Sequence, residues 1–397
     1  MERLCFPKPW KNKKLKQFSF MAAIYFHVPF CKQACHYCNF HFSTSLKHKN
    51  PVLDAMLSEL KLRKAELTET EKINSIYFGG GTPSLLSSAE VSVLIHEVKR
   101  NFNVAVDAEI TLEMNPDDDR PDYLEELKTI GVNRLSVGIQ SFHEEELKLM
   151  NRAHNAQEAF DVLNRIQGLY DNFSLDLIFG LPNSTPESWQ KNVEYALQFN
   201  PTHISSYLLT VEPKTVLNHQ IDNKQIEVLG EEDVLTQFNF LVDRLQAKGY
   251  DHYELSSFGK PGFRSVNNTA YWSEKPYLGI GPSAHSFNGE TRSWNISNNA
   301  QYLKGISVGK PMIEREKLSV TDRYNEYIMI GLRMQNGISL DYIEKNFGSD
   351  YRTLLKKGVQ SQIATQVLYW DGDSLKVSRN AMMLVDGIAS ELFKLNA

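Results

Sequence analysis

From Ala22 onward the chain alternates between short runs rich in β-branched and aromatic residues and longer stretches whose apolar residues recur at helical spacing. The strand-like runs cover residues 22–29, 74–78, 108–114, 134–139, 174–179 and 203–209. Helix-like stretches between them include 51–67, 121–130, 157–169 and 186–199. Strand and helix in strict alternation predict a parallel sheet, hence an α/β protein. The alternation fades after about Pro213, so a partial (β/α)6 TIM-like barrel is expected rather than a full eight-unit one. In such folds the ligand lies at the carboxyl ends of the strands, where this chain places polar and glycine-rich residues. Beyond the barrel the pattern predicts a helix over 231–248 and an irregular, aromatic-rich stretch over 250–294 that covers a site. Helices are expected over 322–334, 339–347, 350–357 and 380–394, with a strand over 374–377. The division expected is a basic N-terminal extension over 1–20, a barrel with its aromatic-rich extension over 21–296, and a small helical, winged-helix-like C-terminal domain over 297–397.

Composition narrows the classes. The chain has 397 residues, 42% hydrophobic and 23% charged, with no repeat and no apolar run long enough to span a bilayer, so no membrane span is expected and a cytoplasmic location is the default. A net charge of -5 and the lack of a basic recognition helix argue against nucleic acid as a partner. Residues 1–20 set Arg3, Lys8, Lys11, Lys13, Lys14 and Lys16 against Glu2 alone, without the apolar stretch of a signal peptide. They read as a solvated tail, or as sequence upstream of a true start at Met21, and are expected to be dispensable.

Candidate chemistry is concentrated at Cys31-Lys-Gln-Ala-Cys35-His-Tyr-Cys38, which holds three of the four cysteines. Four cysteines in a chain of this length, with no secretory signal, argue against disulfides. Structural zinc wants four protein ligands, and a cubane iron–sulfur cluster normally takes four thiolates. Three in one loop therefore suggest a cluster with one iron left open to an exchangeable ligand. A Cys3His zinc site is the competing reading, with His27, His36 or His41 as fourth ligand, and Cys5 is assigned no ligand role.

Taken together with Gly79-Gly-Gly-Thr-Pro83, Glu113-Met-Asn-Pro116, Val137-Gly-Ile-Gln-Ser-Phe142 and Asp176-Leu-Ile-Phe-Gly-Leu-Pro182, the triplet resembles the radical S-adenosylmethionine (SAM) superfamily, in its coproporphyrinogen-dehydrogenase-like branch. Tyr253-Glu-Leu-Ser-Ser-Phe258 and Tyr277-Leu-Gly-Ile-Gly-Pro-Ser-Ala-His285 extend the resemblance over most of the chain. It implies a [4Fe–4S] cluster on Cys31, Cys35 and Cys38 whose open iron is chelated by the methionyl group of SAM, and one-electron cleavage to a 5′-deoxyadenosyl radical. It also implies SAM contacts from Tyr25, Gly80, Gly81, Thr82, Glu113, Gln140, Arg152 and Asp176. Read from the residues alone, Gly79 to Gly81 are a tight turn through which backbone can approach a ligand closely, and the charged residues are ion-pair partners.

Within the branch, the true dehydrogenases carry one more cysteine just after the triplet and a long N-terminal extension; here Asn39 and Phe40 follow Cys38. Both departures favour the haem-chaperone (HemW-type) side, which implies haem binding and transfer to unidentified acceptor proteins. The alternative is an oxygen-independent coproporphyrinogen III oxidase-like enzyme of porphyrin metabolism. The chaperone pattern His-Asn-x-x-Tyr-Trp reads Asn267-Asn-Thr-Ala-Tyr271-Trp272 here, so position 267 offers no imidazole. His285 is the first candidate haem ligand, ahead of His252 and His154. Tyr253, Phe258, Tyr271, Trp272, Tyr277 and Phe287 are expected as aromatic walls.

Overall fold

The computed structural model describes residues 21–68 and 70–395; residues 1–20, including Cys5, lie outside the described residues. Six β/α units come first: β1 (Met21–Val28), α1 (Lys49–Leu62), β2 (Lys72–Gly80), α2 (Ser88–Asn101), β3 (Val104–Met114), α3 (Tyr123–Thr129), β4 (Arg134–Gln140), α4 (Glu144–Leu149), α5 (Ala156–Leu169), β5 (Phe173–Phe179), α6 (Pro186–Gln198) and β6 (His203–Leu208). Strands β1 to β6 pair in sequence order and all in parallel. The sheet does not close on itself, so the six units form the partial barrel that the alternation predicts.

Period-two patterning explains the curvature. Outward residues such as Ile24, Phe26, Ile76, Phe78, Leu112, Val137, Leu175, Leu177 and Ile204 are buried under the helices in one continuous core. Inward positions are polar, among them Tyr77, Ser136, Asp176 and Ser205, which line the lumen. The helices start on side-chain caps: Ser87 with Glu90, Asn155 with Glu158, and Thr185 with Ser188 form capping boxes on α2, α5 and α6. Helix α2 is absent from the sequence-based expectation, although Val91, Leu94, Ile95 and Val98 carry helical spacing and are buried.

Residues 250–294 depart from the irregular cover expected of them. After α7 (Val216–Asp222) and α8 (Glu231–Ala247) they form β7 (Asp251–Glu254), β8 (Ser257–Gly259), α9 (Val266–Trp272), β9 (Tyr277–Ile280), β10 (His285–Phe287) and β11 (Thr291–Asn295). Strands β8 and β7 extend the sheet beyond β6, and β9, β10 and β11 extend it beyond β1. Runs of three to five residues hold too few periods for alternation to be read, and their partners are distant in sequence. Helix α10 (Asn299–Ser307) packs on α1, and β12 (Ile313–Lys317) pairs with β11, so the division expected at 296/297 falls inside this strand series.

A second core begins with α11 (Val320–Arg333) and gathers Tyr324, Ile328, Leu332, Ile343 and Leu375. It contains β13 (Ile338–Ser339), α12 (Leu340–Phe347), α13 (Ser349–Gly358), α14 (Gln360–Ala364), β14 (Leu368–Asp371), β15 (Ser374–Val377) and α15 (Val385–Glu391). Its three-stranded sheet has the order β13-β15-β14. The single helix expected over 380–394 is a 3-10 turn (Arg379–Leu384) followed by α15, a tightening common at helix starts.

Candidate functional site

The cysteine loop leaves β1 at the carboxyl end of the sheet and is closed at its base. Cys31 N–H donates to the Ser43 carbonyl (3.1 Å) and Ser43 N–H to the Pro29 carbonyl (2.9 Å). The loop is then strapped to its neighbours. His36 N–H donates to the Met150 carbonyl (3.0 Å), and Asn151 donates through Nδ2 to the Ala34 carbonyl (2.8 Å) and accepts from Gln33 Nε2 (2.8 Å). Asn151 does so from the left-handed region, φ 54°. Lys32 reaches Asp117 (2.9 Å) and the buried Asp118 (2.5 Å). With its backbone fixed in this way, the loop presents Cys31, Cys35 and Cys38, each half-buried, to one cavity of about 460 Å³. Burial pushes the Cys31 thiol up to about 11 against a hydrogen bond from Thr82, and raises Cys38 as well. Such thiols ionise only beside strong positive charge, which a metal centre supplies.

The opposite wall comes from strand ends. Gly80 has φ 108°, and a Cβ there would stand 2.7 Å from His27 Nδ1; a Cβ on Gly81 would meet the Phe30 carbonyl oxygen at 2.6 Å. Glycine is therefore a geometric requirement at both positions, and it holds the β2 turn against β1. The same cavity is lined by Thr82, Glu113, Gln140, Arg152 and Asp176, so of the residues expected at the SAM site only Tyr25 lies elsewhere, in an adjoining cavity. Burial drives Glu113 up to about 7, with Tyr77 O–H donating to its Oε1 at 2.7 Å and opposing the rise. Asp176 is pushed up to about 6 by burial, with Ser205 and Arg134 opposing. Gln140 sits at φ 64°, a strained setting of the kind that clusters at ligand sites. Arg152 places Nη1 3.3 Å from Cys35 Sγ, while Nη2 donates to Asn115 Oδ1 (2.6 Å) and the Gly138 carbonyl (2.8 Å). Its Nε is buried without a partner and no carboxylate pairs with it among the described residues, so it stands ready for an anion at the thiols. Asn115 was within the quoted motif but unassigned. Tyr37, inside the cysteine motif, and Tyr207, in the strand-like run 203–209, also line the cavity without an expected role.

A second cavity, of about 660 Å³, adjoins the first and shares Asn39, Phe40, Gly80 and Glu113 with it. Here lie Tyr25, Tyr271, Tyr277 and His285. His285 is exposed and stacks on Trp294 with ring centroids 5.9 Å apart. The other aromatics expected as walls divide. Phe287 packs behind Tyr277, whereas Tyr253 is buried on His203 (2.8 Å), Phe258 stacks in the core on His252, and Trp272 faces Arg333 of α11. Those three are packing residues, because β7, β8 and the end of α9 turn away from the cavity. His252 and His154 are buried with Nε2 held by the carbonyls of Leu255 and Ile139, so neither faces it. Asn267 is 2% exposed and opens on the barrel lumen.

The donor set, three thiols facing one cavity, fits a cluster with one iron left open. Among the described residues no three His, Cys, Asp or Glu side chains converge on a single ion position. Each imidazole considered for zinc holds one ring nitrogen in a hydrogen bond: His27 Nε2 with the His41 carbonyl (2.9 Å), His36 Nδ1 with the Leu149 carbonyl (3.0 Å) and His41 Nε2 with Asn299 Oδ1 (2.8 Å).

Known proteins agree with this architecture. Residues 25–196 match the Radical SAM superfamily and residues 318–384 the HemN C-terminal domain. The chain is similar to the Heme chaperone HemW of Lactococcus lactis subsp. lactis (strain IL1403), 31% identical over 365 residues covering 92% of this chain and 95% of the relative. It is also similar to Heme chaperone HemW of Escherichia coli (strain K12), 34% identical over 321 residues, with 79% and 82% covered. The solved coproporphyrinogen III oxidase (HemN) of Escherichia coli, described as a radical SAM enzyme, shares the fold with a TM-score of 0.81 over 95% of this chain and 91% of that one, at 24% identity. A parallel partial barrel with three thiols at its carboxyl end, matched almost end to end at above 30% identity, makes this chain a member of the HemW family within the radical SAM superfamily.

Proposed function

We propose that this protein is a haem chaperone: it holds a [4Fe–4S] cluster and SAM in the cysteine cavity, binds haem in the adjoining cavity, and passes haem to acceptor proteins in the cytoplasm. The observation that carries the reading is the union of the two cavities through Asn39, Phe40, Gly80 and Glu113, in a chain whose relatives are named haem chaperones. Cys31, Cys35 and Cys38 would ligate the cluster, which when bound with SAM supplies one-electron chemistry. The chain's own residues orient and enclose. Backbone at Gly79 to Gly81 approaches the ligand, Glu113 accepts hydrogen bonds from hydroxyls, Arg152 faces negative charge at Cys35, and Asp176 takes a buried polar group. Tyr271 and Tyr277 meet edge to face, ring centroids 4.5 Å apart, and form an apolar wall for a flat macrocycle beside His285. No helix among the described residues is long and apolar enough to cross a membrane.

Coproporphyrinogen decarboxylation is the second reading, and Asn39 and Phe40, which follow Cys38 where the dehydrogenases add a cysteine just after the triplet, weigh against it. One anaerobic preparation assayed for iron, sulfide and haem tests the proposal, with Soret titration of wild type, His285→Ala and Asn267→His. Saturable, reversible haem binding weakened by His285→Ala is expected. Binding gained only by Asn267→His would overturn the chaperone reading, and Cys35-dependent formation of protoporphyrinogen would replace it with the enzyme.

A further inference from the structure

The interior of a (β/α) barrel is ordinarily filled by layers of branched apolar side chains. In this chain it is polar and incompletely filled. Below the level of Glu113 a cavity of about 190 Å³ remains, lined among others by Tyr77, Arg134, Ser136, Asp176 and Ser205. It shares Tyr25, Glu113 and Tyr271 with the His285 cavity and Glu113, Ser136, Asp176 and Tyr207 with the cysteine cavity, so it adjoins both.

Arg134 dominates its floor. The side chain is 2% exposed, yet its guanidinium makes no hydrogen bond to any group among the described residues, and Nε is buried without a partner. The nearest carboxylate is Glu109, whose Oε2 stands 3.9 Å from Nε and whose Oε1 is taken by the Val266 N–H (3.0 Å). The other buried arginine among the described residues is fully engaged. Arg63, at 3% exposed, pairs with Glu59 at 2.8 Å and Glu66 at 2.7 Å and also donates to Gly279 and Ser286. A buried cation without hydrogen bonds is costly and is not kept by packing alone.

We propose that Arg134 anchors a carboxylate-binding subsite on the barrel floor, and that the carboxylate belongs to a propionate side chain of the tetrapyrrole held in the His285 cavity. The inference rests on the haem reading and deepens it. The planar guanidinium fork suits a carboxylate above other anions of this size, and the rest of the cavity lining, Ser136 and Ser205 included, is polar. Volume separates the two parts of the ligand: about 190 Å³ admits a short acidic side chain and excludes a macrocycle, for which the cavity of about 660 Å³ has room. Asp176 and Glu113 face the same space, and burial raises both carboxyl groups, to about 6 and about 7.

Haem and haem dimethyl ester, whose carboxylates are masked, are titrated against cluster-loaded wild type, Arg134→Met and Arg134→Lys, with thermal melts reporting on folding. Wild type is expected to prefer the free acid by about tenfold or more, as a buried charge-assisted bond implies. Arg134→Met should bind the two forms equally and keep its affinity for the ester, while Arg134→Lys keeps part of the preference. Equal affinity of wild type for both forms would overturn the subsite while leaving haem binding intact, with ordered water as the partner of Arg134. So would a preference that survives in Arg134→Met. If wild type binds neither form, the haem reading itself fails and the subsite with it. The comparison of ester with acid on wild type decides the matter even if the methionine variant does not fold.

Discussion

Glu59 on α1 is fully buried and is surrounded only by donors: Arg63 Nη1 (2.8 Å) and Asn295 Nδ2 (2.7 Å) on one oxygen, and the Gly281 N–H (2.9 Å) and Tyr302 O–H (2.7 Å) on the other. Arg63 in turn donates to the Gly279 carbonyl (2.8 Å) and Ser286 Oγ (2.9 Å). This one ion pair therefore ties α1 to β9, β10, β11 and α10, the edge that carries His285. Glu59→Ala strands four buried donors and removes one of the two carboxylates paired with the guanidinium, Glu66 remaining at 2.7 Å, which costs about 3–5 kcal/mol. That is a large part of the ~5–15 kcal/mol that keeps an ordinary protein folded. Glu59→Gln is isosteric but sets amide hydrogens against a ring of donors, so it should cost about 2–3 kcal/mol rather than nothing. The pair Glu59→Leu with Arg63→Met removes both charges together and should fall short of the summed single losses by at least ~1 kcal/mol. Urea denaturation followed by far-UV circular dichroism measures wild type, Glu59→Ala, Glu59→Gln, the single variants Glu59→Leu and Arg63→Met, and the double variant. A Glu59→Gln protein as stable as wild type, or a double variant whose loss is simply additive, would refute the claim that this network holds the edge.

Alanine at Cys31, Cys35 or Cys38 should each abolish anaerobic iron loading of roughly four irons per chain, whereas Cys5→Ala leaves it unchanged; stoichiometric zinc without iron would sink the cluster. Gly81→Ala must displace the Phe30 carbonyl oxygen by several tenths of an ångström, an overpacking expected to cost about 1–3 kcal/mol and to lower SAM retention, read by equilibrium dialysis. Glu113→Gln should be stabilising in cofactor-free protein at pH 8. Its folded pKa of about 7 lies above the ordinary carboxyl value, so the folded wild type binds the extra proton below that point and loses stability as pH rises toward 7. The variant's advantage is absent below about pH 4.5 and reaches ~1–3 kcal/mol above pH 7; melts across that range check it, and an advantage that grows toward acid would contradict the sign.

What was legible in the sequence follows the range of the interactions concerned. Strand β5 and helix α6 are placed within about one residue, because each pairs apolar periodicity with its own boundary, the Gly180-Leu181-Pro182 turn after β5 and the Thr185-Pro186 start of α6. The cysteine triplet, the glycine turn, Glu113, Gln140, Arg152 and Asp176 were each visible as motifs, and the structure brings all of them to one cavity. Their order along the chain already assigned them to successive strand ends of a parallel sheet. Strands β7 to β12 were not legible, since three to five residues at a sheet edge are held by partners up to some 250 positions away, as β9 is by β1.

By itself the sequence determined the repeating β/α units, the three-thiol loop and the polar residues that end each strand, because these depend on spacing of a few residues and on side-chain chemistry. Only the tertiary structure decided which aromatics line a cavity and which fill the core. Tyr271 and Tyr253 look alike in sequence, yet α9 turns the first toward His285 while β7 buries the second on His203. It alone also decided that Arg134, an ordinary charged residue at the start of a strand, stands on the floor of the barrel with Glu109 at 3.9 Å and its Nε without a hydrogen bond. Burial and pairing are sums over neighbours that chain folding brings together from many strands, and no local window of sequence contains those neighbours.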